Sequence, residues 1–160
     1  MSSAESPSRF RPWHGAVLIG LVMMGVAIYQ VLPGGSDFER VSPDRQGVVE
    51  IDLAGLDPGA VRFFRFLNYG NQEVKFFVGR DSEGTVQAAF DANEICFKRK
   101  RGYRHDGEWM VCRVCDKAFR LAEVNDGGGG CKPVPLAHRL EGDRLVLQES
   151  EILRGWRYFR

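Results

Sequence analysis

Four thiols are the residues in this chain whose type and spacing can do chemistry. Cys96 is followed by fifteen residues, a Cys112-x-x-Cys115 pair, fifteen more residues and Cys131. A Cys-x-x-Cys pair on a tight turn can grip one metal while two further thiolates arrive from distant loops. Sulfur is a soft donor, so the set suits zinc, iron or an iron–sulfur cluster. Four glycines occupy positions 127–130, directly before Cys131, and their backbone N–H groups can approach a cluster or thiolate sulfur closely. Two disulfides, in any of three pairings, are the competing reading for a compartment outside the cytoplasm.

Several sharper assignments fail on single residues. A c-type haem site needs His after Cys-x-x-Cys, and Asp116 stands there. A thioredoxin-like pair needs βαβ surroundings, whereas these read as β throughout. A zinc ribbon needs two Cys-x-x-Cys pairs, and the chain has one. His105 and His138 flank the thiols in sequence; with Gly129, Gly130 and Lys132 they are expected to surround the ligands rather than to bind metal. The acids Asp91, Glu94, Asp106 and Glu108 read as turn and cap residues, so no independent catalytic reaction is expected, only binding or electron transfer. The basic run Lys98, Arg99, Lys100 and Arg101 reads as a solvated loop with the capacity to steer an acidic redox partner.

The elements that must position the thiols are short. From residue 47 onward, runs of β-branched and aromatic residues are broken about every eight to twelve residues by turn signals, the mark of a sandwich or barrel. Strands are expected at 48–53, 61–67, 74–78 and 86–90, with turns at Asp57-Pro58-Gly59, Asn68-Tyr69-Gly70-Asn71 and Asp81-Ser82-Glu83-Gly84. Phe63, Phe64, Phe66, Phe76 and Phe77 are expected to pack the core between two sheets. Asp91-Ala92-Asn93-Glu94 has the shape of a capping box, so a single helical turn is expected to carry Cys96. A hairpin over 103–111, with a type I′ turn at Asp106-Gly107, is expected to deliver Cys112. Further strands are expected at 118–124 and 144–148. Residues 154–160 alternate bases with aromatics and read as a closing edge strand. No repeat and no helix-period pattern of useful length follows residue 40.

Upstream, residues 1–14 are rich in Ser and Pro and read as a disordered tail. Residues 15–33 read as a transmembrane anchor: the uncharged stretch 15–32 reaches roughly 27 Å as a helix, close to the ~30 Å hydrocarbon thickness. A cleaved signal peptide ending near Gly25 and Ala27 is the alternative, and the apolar run beyond Ala27 favours retention. Arg9 and Arg11 before the span are matched by Arg40 and Arg45 after it; the free amine and the closeness of the first pair favour an N-terminus in the cytoplasm and a domain outside it, in the periplasm of a bacterium. Arg9-Phe10-Arg11 is not a twin-arginine signal. Residues 34–46 read as a linker and 47–160 as one β-rich, cysteine-bearing domain. The length after the leader is enough for one core but not comfortably for two. A formal charge of +1 does not point to nucleic acid.

Four blocks, AFDANEICF, GYRHDGEWMVCRVC with Phe119, GGCKPVPL and GDRLVL, occur in that order and together resemble the FtrD-like membrane iron–sulfur family. The resemblance covers roughly residues 48–159 and implies a membrane-bound iron–sulfur or other metal-binding domain associated with iron-uptake permeases. The chain departs from the family pattern at Asn93, where a further Cys is common, and at Lys132, where Asn is common. A fainter similarity is to Rieske domains, in which Lys98 and Cys115 stand where the His ligands would fall. It implies a mainly β, Rieske-like sandwich or barrel following the single transmembrane helix.

The expected function is therefore a membrane-anchored electron carrier outside the cytoplasm. Cys96, Cys112, Cys115 and Cys131 would hold an iron–sulfur cluster or iron ion, with a membrane permease or redox protein as partner. Two alternatives stand beside it: a structural or delivery module holding zinc or iron without redox activity, and a thiol–disulfide protein using Cys112 and Cys115.

Overall fold

The computed structural model describes residues 38–160, which lie within one compact unit, Ser36–Arg160. The tail expected at 1–14 and the anchor expected at 15–33 lie outside the described residues. Among the described residues no helix is long and apolar enough to cross a membrane.

The fold is mainly β, as the sequence pattern requires. The strands are β1 Glu39–Val41, β2 Val48–Asp52, β3 Val61–Leu67, β4 Glu73–Arg80, β5 Val86–Phe90, β6 Tyr103–Asp106, β7 Trp109–Cys112, β8 Ala118–Arg120, β9 Arg139–Glu141 and β10 Arg144–Gln148. They form a four-stranded sheet in the order β1-β3-β4-β5 and two three-stranded sheets, β2-β10-β9 and β6-β7-β8.

The four-stranded sheet is covered on both faces. Strands β3, β4 and β5 are antiparallel neighbours whose side chains alternate with period 2. Phe64, Phe66, Phe76 and Val78 point to one side, into a core shared with Val49, Ile51, Leu145 and Leu147 from β2 and β10. Phe77 and Ala89 point to the other, into a second core with Tyr103, Met110, Cys112 and Leu121. Burial on both faces explains why β4 and β5 read as nearly continuous apolar runs. The phenylalanines thus serve two cores, and the second is the platform for the thiols. A Cβ at Gly79 would lie 2.9 Å from Val61 and 3.0 Å from Leu121, so its missing side chain lets the second layer close on β4.

Four local expectations need correction. The hairpin turns at Gly107-Glu108, because Asp106 pairs with Trp109. Gly107 has φ +61° and Glu108 has no positive φ, the sign pattern of a type II′ turn rather than type I′. The strand expected at 118–124 stops at Arg120 and continues as a 3₁₀ turn, Leu121–Glu123, which buries Leu121. The capping box does not form: the Asp91 carboxylate accepts the Tyr103 N–H at 2.6 Å, and Asn93 caps the turn instead. The C-terminal edge strand is replaced by helix α1, Glu149–Arg154, and a 3₁₀ turn, Trp156–Tyr158. The physical reason is the period. Arg154, Arg157 and Arg160 recur every three residues, and so do the buried Ile152, Gly155 and Tyr158. One strand was not expected at all. β1 falls within the 34–46 stretch read as linker and pairs parallel to β3.

Candidate metal centre

Three loops carry the thiols, and each is placed by the backbone. After β5 the chain runs on antiparallel to residues 134–136: Phe90 N–H donates to Val134 C=O, Val134 N–H to Ala92 C=O, and Leu136 N–H to Ala88 C=O, at 2.8, 3.1 and 3.0 Å. Pro135 lies between the two inward donors, so its missing N–H removes no bond. This pairing holds the Cys131 loop against the Cys96 loop. Cys96 ends a turn in which Asn93 Oδ1 accepts the N–H groups of Ile95 and Cys96 at 3.1 and 2.6 Å. A 3₁₀ turn, Phe97–Arg99, follows, and Phe97 packs edge-on to Tyr158 from the C-terminal segment.

Cys112 ends β7 opposite Tyr103, so both side chains face the second core. Cys112 N–H donates to Lys117 C=O and Asp116 N–H to Cys112 C=O, closing the Cys-x-x-Cys turn with Asp116 at φ +56°. Gly102, at φ +60°, precedes β6. A Cβ there would run into the Asp91 carboxylate.

The result is a thiol cluster at the surface of the domain. The sulfurs of Cys96, Cys115 and Cys131 all lie within 4.8 Å of one another. Cys96 Sγ and Cys131 Sγ are 3.6 Å apart. Cys112 is the inner, buried thiol, Cys115 is exposed, and Cys96 and Cys131 are half-buried; all four are free. Cys112 Sγ falls outside that mutual 4.8 Å group and lies 3.6 Å from Asn93 Nδ2. Partial burial pushes the Cys96 thiol up to about 12, and the neighbouring thiols of Cys131, Cys112 and Cys115 act in the same direction. Thiols this close cannot all ionise unless a cation compensates them. Two thiolates bound to one metal at about 2.3 Å with tetrahedral angles sit about 3.8 Å apart, close to the Cys96–Cys131 separation.

The other expected residues are placed differently. Neither histidine joins the thiol group. His138 Nδ1 lies 2.9 Å from the Leu136 carbonyl, and His105, on β6, keeps Nε2 buried without a hydrogen-bond partner. Gly129 and Gly130 have φ +136° and +61°, so glycine is needed there for backbone conformation. Lys132 is half-buried and its N–H donates to Gly129 C=O at 3.2 Å. Among the described residues, the N–H that reaches a site sulfur comes from Asn93, not from the glycine loop. Lys98, Arg99, Lys100 and Arg101 are exposed beside Cys96.

Sequence reasoning missed two residues of the site. Asn93 lies three positions before Cys96, the spacing of a side-chain-capped turn, and that signal was available. Tyr103 carried no signal. Its hydroxyl accepts from Asn93 Nδ2 at 2.8 Å and donates to the Cys131 carbonyl at 2.5 Å. Burial raises its phenol above the ordinary range, which keeps the donor proton in place.

No curated protein and no solved structure matched the chain. The family described as "Membrane iron-sulfur containing protein FtrD-like" matches residues 56–159, well over half of the sequence. That span runs from the turn after β2 to the penultimate residue and contains all four thiols together with Asn93 and Tyr103. The chain belongs to the FtrD-like family of membrane iron–sulfur-containing proteins.

Proposed function

We propose that this domain is a membrane-anchored electron carrier outside the cytoplasm, with an iron–sulfur cluster or iron ion held by Cys96, Cys112, Cys115 and Cys131. The observation that carries the reading is the convergence of thiols from three loops, three of them within 4.8 Å of one another, in a chain of this family. Such a donor set fits iron by its softness and charge, and its chemistry when loaded is one-electron transfer. By the fainter Rieske resemblance Lys98 and Cys115 stand where the two imidazoles would be, so the proposed ligand set is all thiolate. Such a set implies a lower potential than a centre with His on one iron.

The residues around the thiols have definable tasks in this reading. Asn93 and Tyr103 fix the loops, and the apolar floor of Phe77, Met110 and Leu121 keeps water from the inner side. The exposed Cys115 and the basic run 98–101 leave the outer side open to an acidic membrane partner, such as an iron-uptake permease.

Anaerobic purification with iron and sulfide analysis, followed by electron paramagnetic resonance on oxidised and reduced samples, tests the proposal. Iron at one or more equivalents with a redox-dependent signal is the expected result. Stoichiometric zinc without redox activity would instead establish a structural or delivery site on the same thiols. Absence of both metals, with Cys112 and Cys115 cycling as a disulfide, would make it a thiol–disulfide protein.

A further inference from the structure

We propose that Asn93 positions the thiols of this centre and, through the N–H it directs at Cys112 Sγ, sets how readily the centre accepts an electron. The inference rests on the metal-binding reading above. Asn93 is only 2 % exposed, and its amide is spent on the site. Oδ1 accepts two backbone N–H groups, from Ile95 at 3.1 Å and Cys96 at 2.6 Å. Nδ2 donates to the Tyr103 hydroxyl at 2.8 Å and to Cys112 Sγ at 3.6 Å. An amide offers two lone pairs and two N–H groups, so no capacity is left for other partners. The two backbone donors also fix its orientation, since neither can face the NH₂ group.

Through Tyr103 the same side chain reaches the Cys131 carbonyl. Cys96, Cys112 and Cys131 arrive on three separate loops, and one buried amide is connected to all three. Its effect on electron uptake follows from charge. A reduced centre holds more negative charge on its sulfurs than an oxidised one, so an N–H aimed at sulfur stabilises the reduced form more and raises the potential. The glycine loop directs no such N–H among the described residues, which leaves Asn93 as the sulfur's donor.

Asn93→Ser keeps the turn N–H contacts and gives up both Nδ2 bonds, to Tyr103 and to Cys112, so Tyr103→Phe, which loses the Tyr103 link alone, is its control. A Ser hydroxyl can still accept the turn N–H groups, but it is too short to reach Cys112. Asn93→Ala loses both functions. In the full chain loaded anaerobically with iron, Asn93→Ser is expected to keep its iron and shift the one-electron equilibrium about tenfold toward oxidation, about 59 mV. Asn93→Ala is expected to lose iron as well. A folded, iron-replete Asn93→Ser with the wild-type potential would overturn the tuning role, and Asn93→Ala with full iron would overturn the positioning role.

A second measurement needs no metal. In the ¹⁵N spectrum of the reduced apoprotein, the Asn93 side-chain protons should exchange slowly and shift in Cys112→Ser. Exchange as fast as that of a solvent-exposed amide would remove the contact and the proposal with it. Wild-type protein that takes up zinc but no iron would refute the electron-accepting half alone. Protein that takes up neither would refute the metal reading, and amide exchange would then decide the positioning half.

Discussion

The Tyr103 hydroxyl donates to the Cys131 carbonyl at 2.5 Å, joining the floor of the second core to the loop that carries the last thiol. Tyr103 is 1 % exposed, and its ring packs edge-on to Phe77 of the central sheet. The loop at 127–130 has no side chains of its own to pack, so this bond, with the pairing of residues 134–136 along β5, determines where Cys131 sits. Tyr103→Phe keeps the ring and deletes the hydroxyl. It leaves the Cys131 carbonyl and one Asn93 N–H without their partner, which is expected to cost about 1–3 kcal/mol. Urea unfolding measures the loss. Limited proteolysis should show faster cleavage within 127–130, and an unchanged cleavage rate would mean that the loop is held by other contacts.

Asp91 makes stability depend on pH. Burial pushes its carboxyl up from 3.8 to about 7, against the opposing pull of the Tyr103 N–H and the charges of Arg113 and Lys75. The folded state therefore binds a proton that the unfolded state has already released across this window. The stabilisation is complete below about pH 4 and is lost as pH rises toward about 7, above which both states are ionised. At about 1.4 kcal/mol for each pKa unit, the change is on the order of a few kcal/mol. Asp91→Asn keeps an oxygen acceptor for the Tyr103 N–H but carries no charge. In reduced, metal-free protein its urea midpoint should vary less than wild type between about pH 5 and about pH 8. An equally steep profile in the variant would assign the dependence to other groups.

Two glycines in the same backbone region should respond differently to alanine. Gly102 and Gly107 have φ +60° and +61°, so each substitution carries a positive-φ penalty of at least about 1–2 kcal/mol. A Cβ at Gly107 meets nothing within 4 Å, whereas one at Gly102 enters the Asp91 carboxylate that holds Tyr103. Gly107→Ala should stay near the conformational penalty. Gly102→Ala should exceed it by about 2 kcal/mol or more, with reduced metal uptake. Equal losses by chemical denaturation would show that Asp91 moves aside at little cost.

The parts of the fold governed by period 2 were legible in the sequence, and the parts governed by distant partners were not. Strands β2 to β5 and β10 announce themselves by runs of β-branched and aromatic residues between turn signals, and three of the four thiols singled out by their spacing lie within 4.8 Å of one another. The alternation of bases and aromatics near the C-terminus misled because a period of three also brings unlike residues side by side. The burial of Ile152, Gly155 and Tyr158 reveals that period only once Phe90 and Phe97 are placed against them. Asp91 looked like a cap because its partner, the Tyr103 N–H, is twelve residues away. Tyr103 itself reads as an ordinary strand aromatic until Asn93 and Cys131 are brought to its hydroxyl.

The unequal burial of the thiols separates what a cysteine does for the metal from what it does for the fold. Cys115 is exposed and Cys112 is buried beneath Asn93. In metal-free protein, Cys115→Ala should change stability by no more than about 0.5 kcal/mol. Cys112→Ala should be destabilising in the same state, because it opens a void in the second core. In loaded protein both remove a ligand. Ligand binding to the folded state adds about 2.7 kcal/mol when free metal is a hundredfold above its dissociation constant, so a chelator should lower the wild-type melting temperature by several degrees. Cys115→Ala should melt where chelated wild type does, and adding chelator should not move it further. A Cys115→Ala melt that still falls on chelation would show that three thiols suffice to hold the metal, and that the exposed cysteine is free for another task.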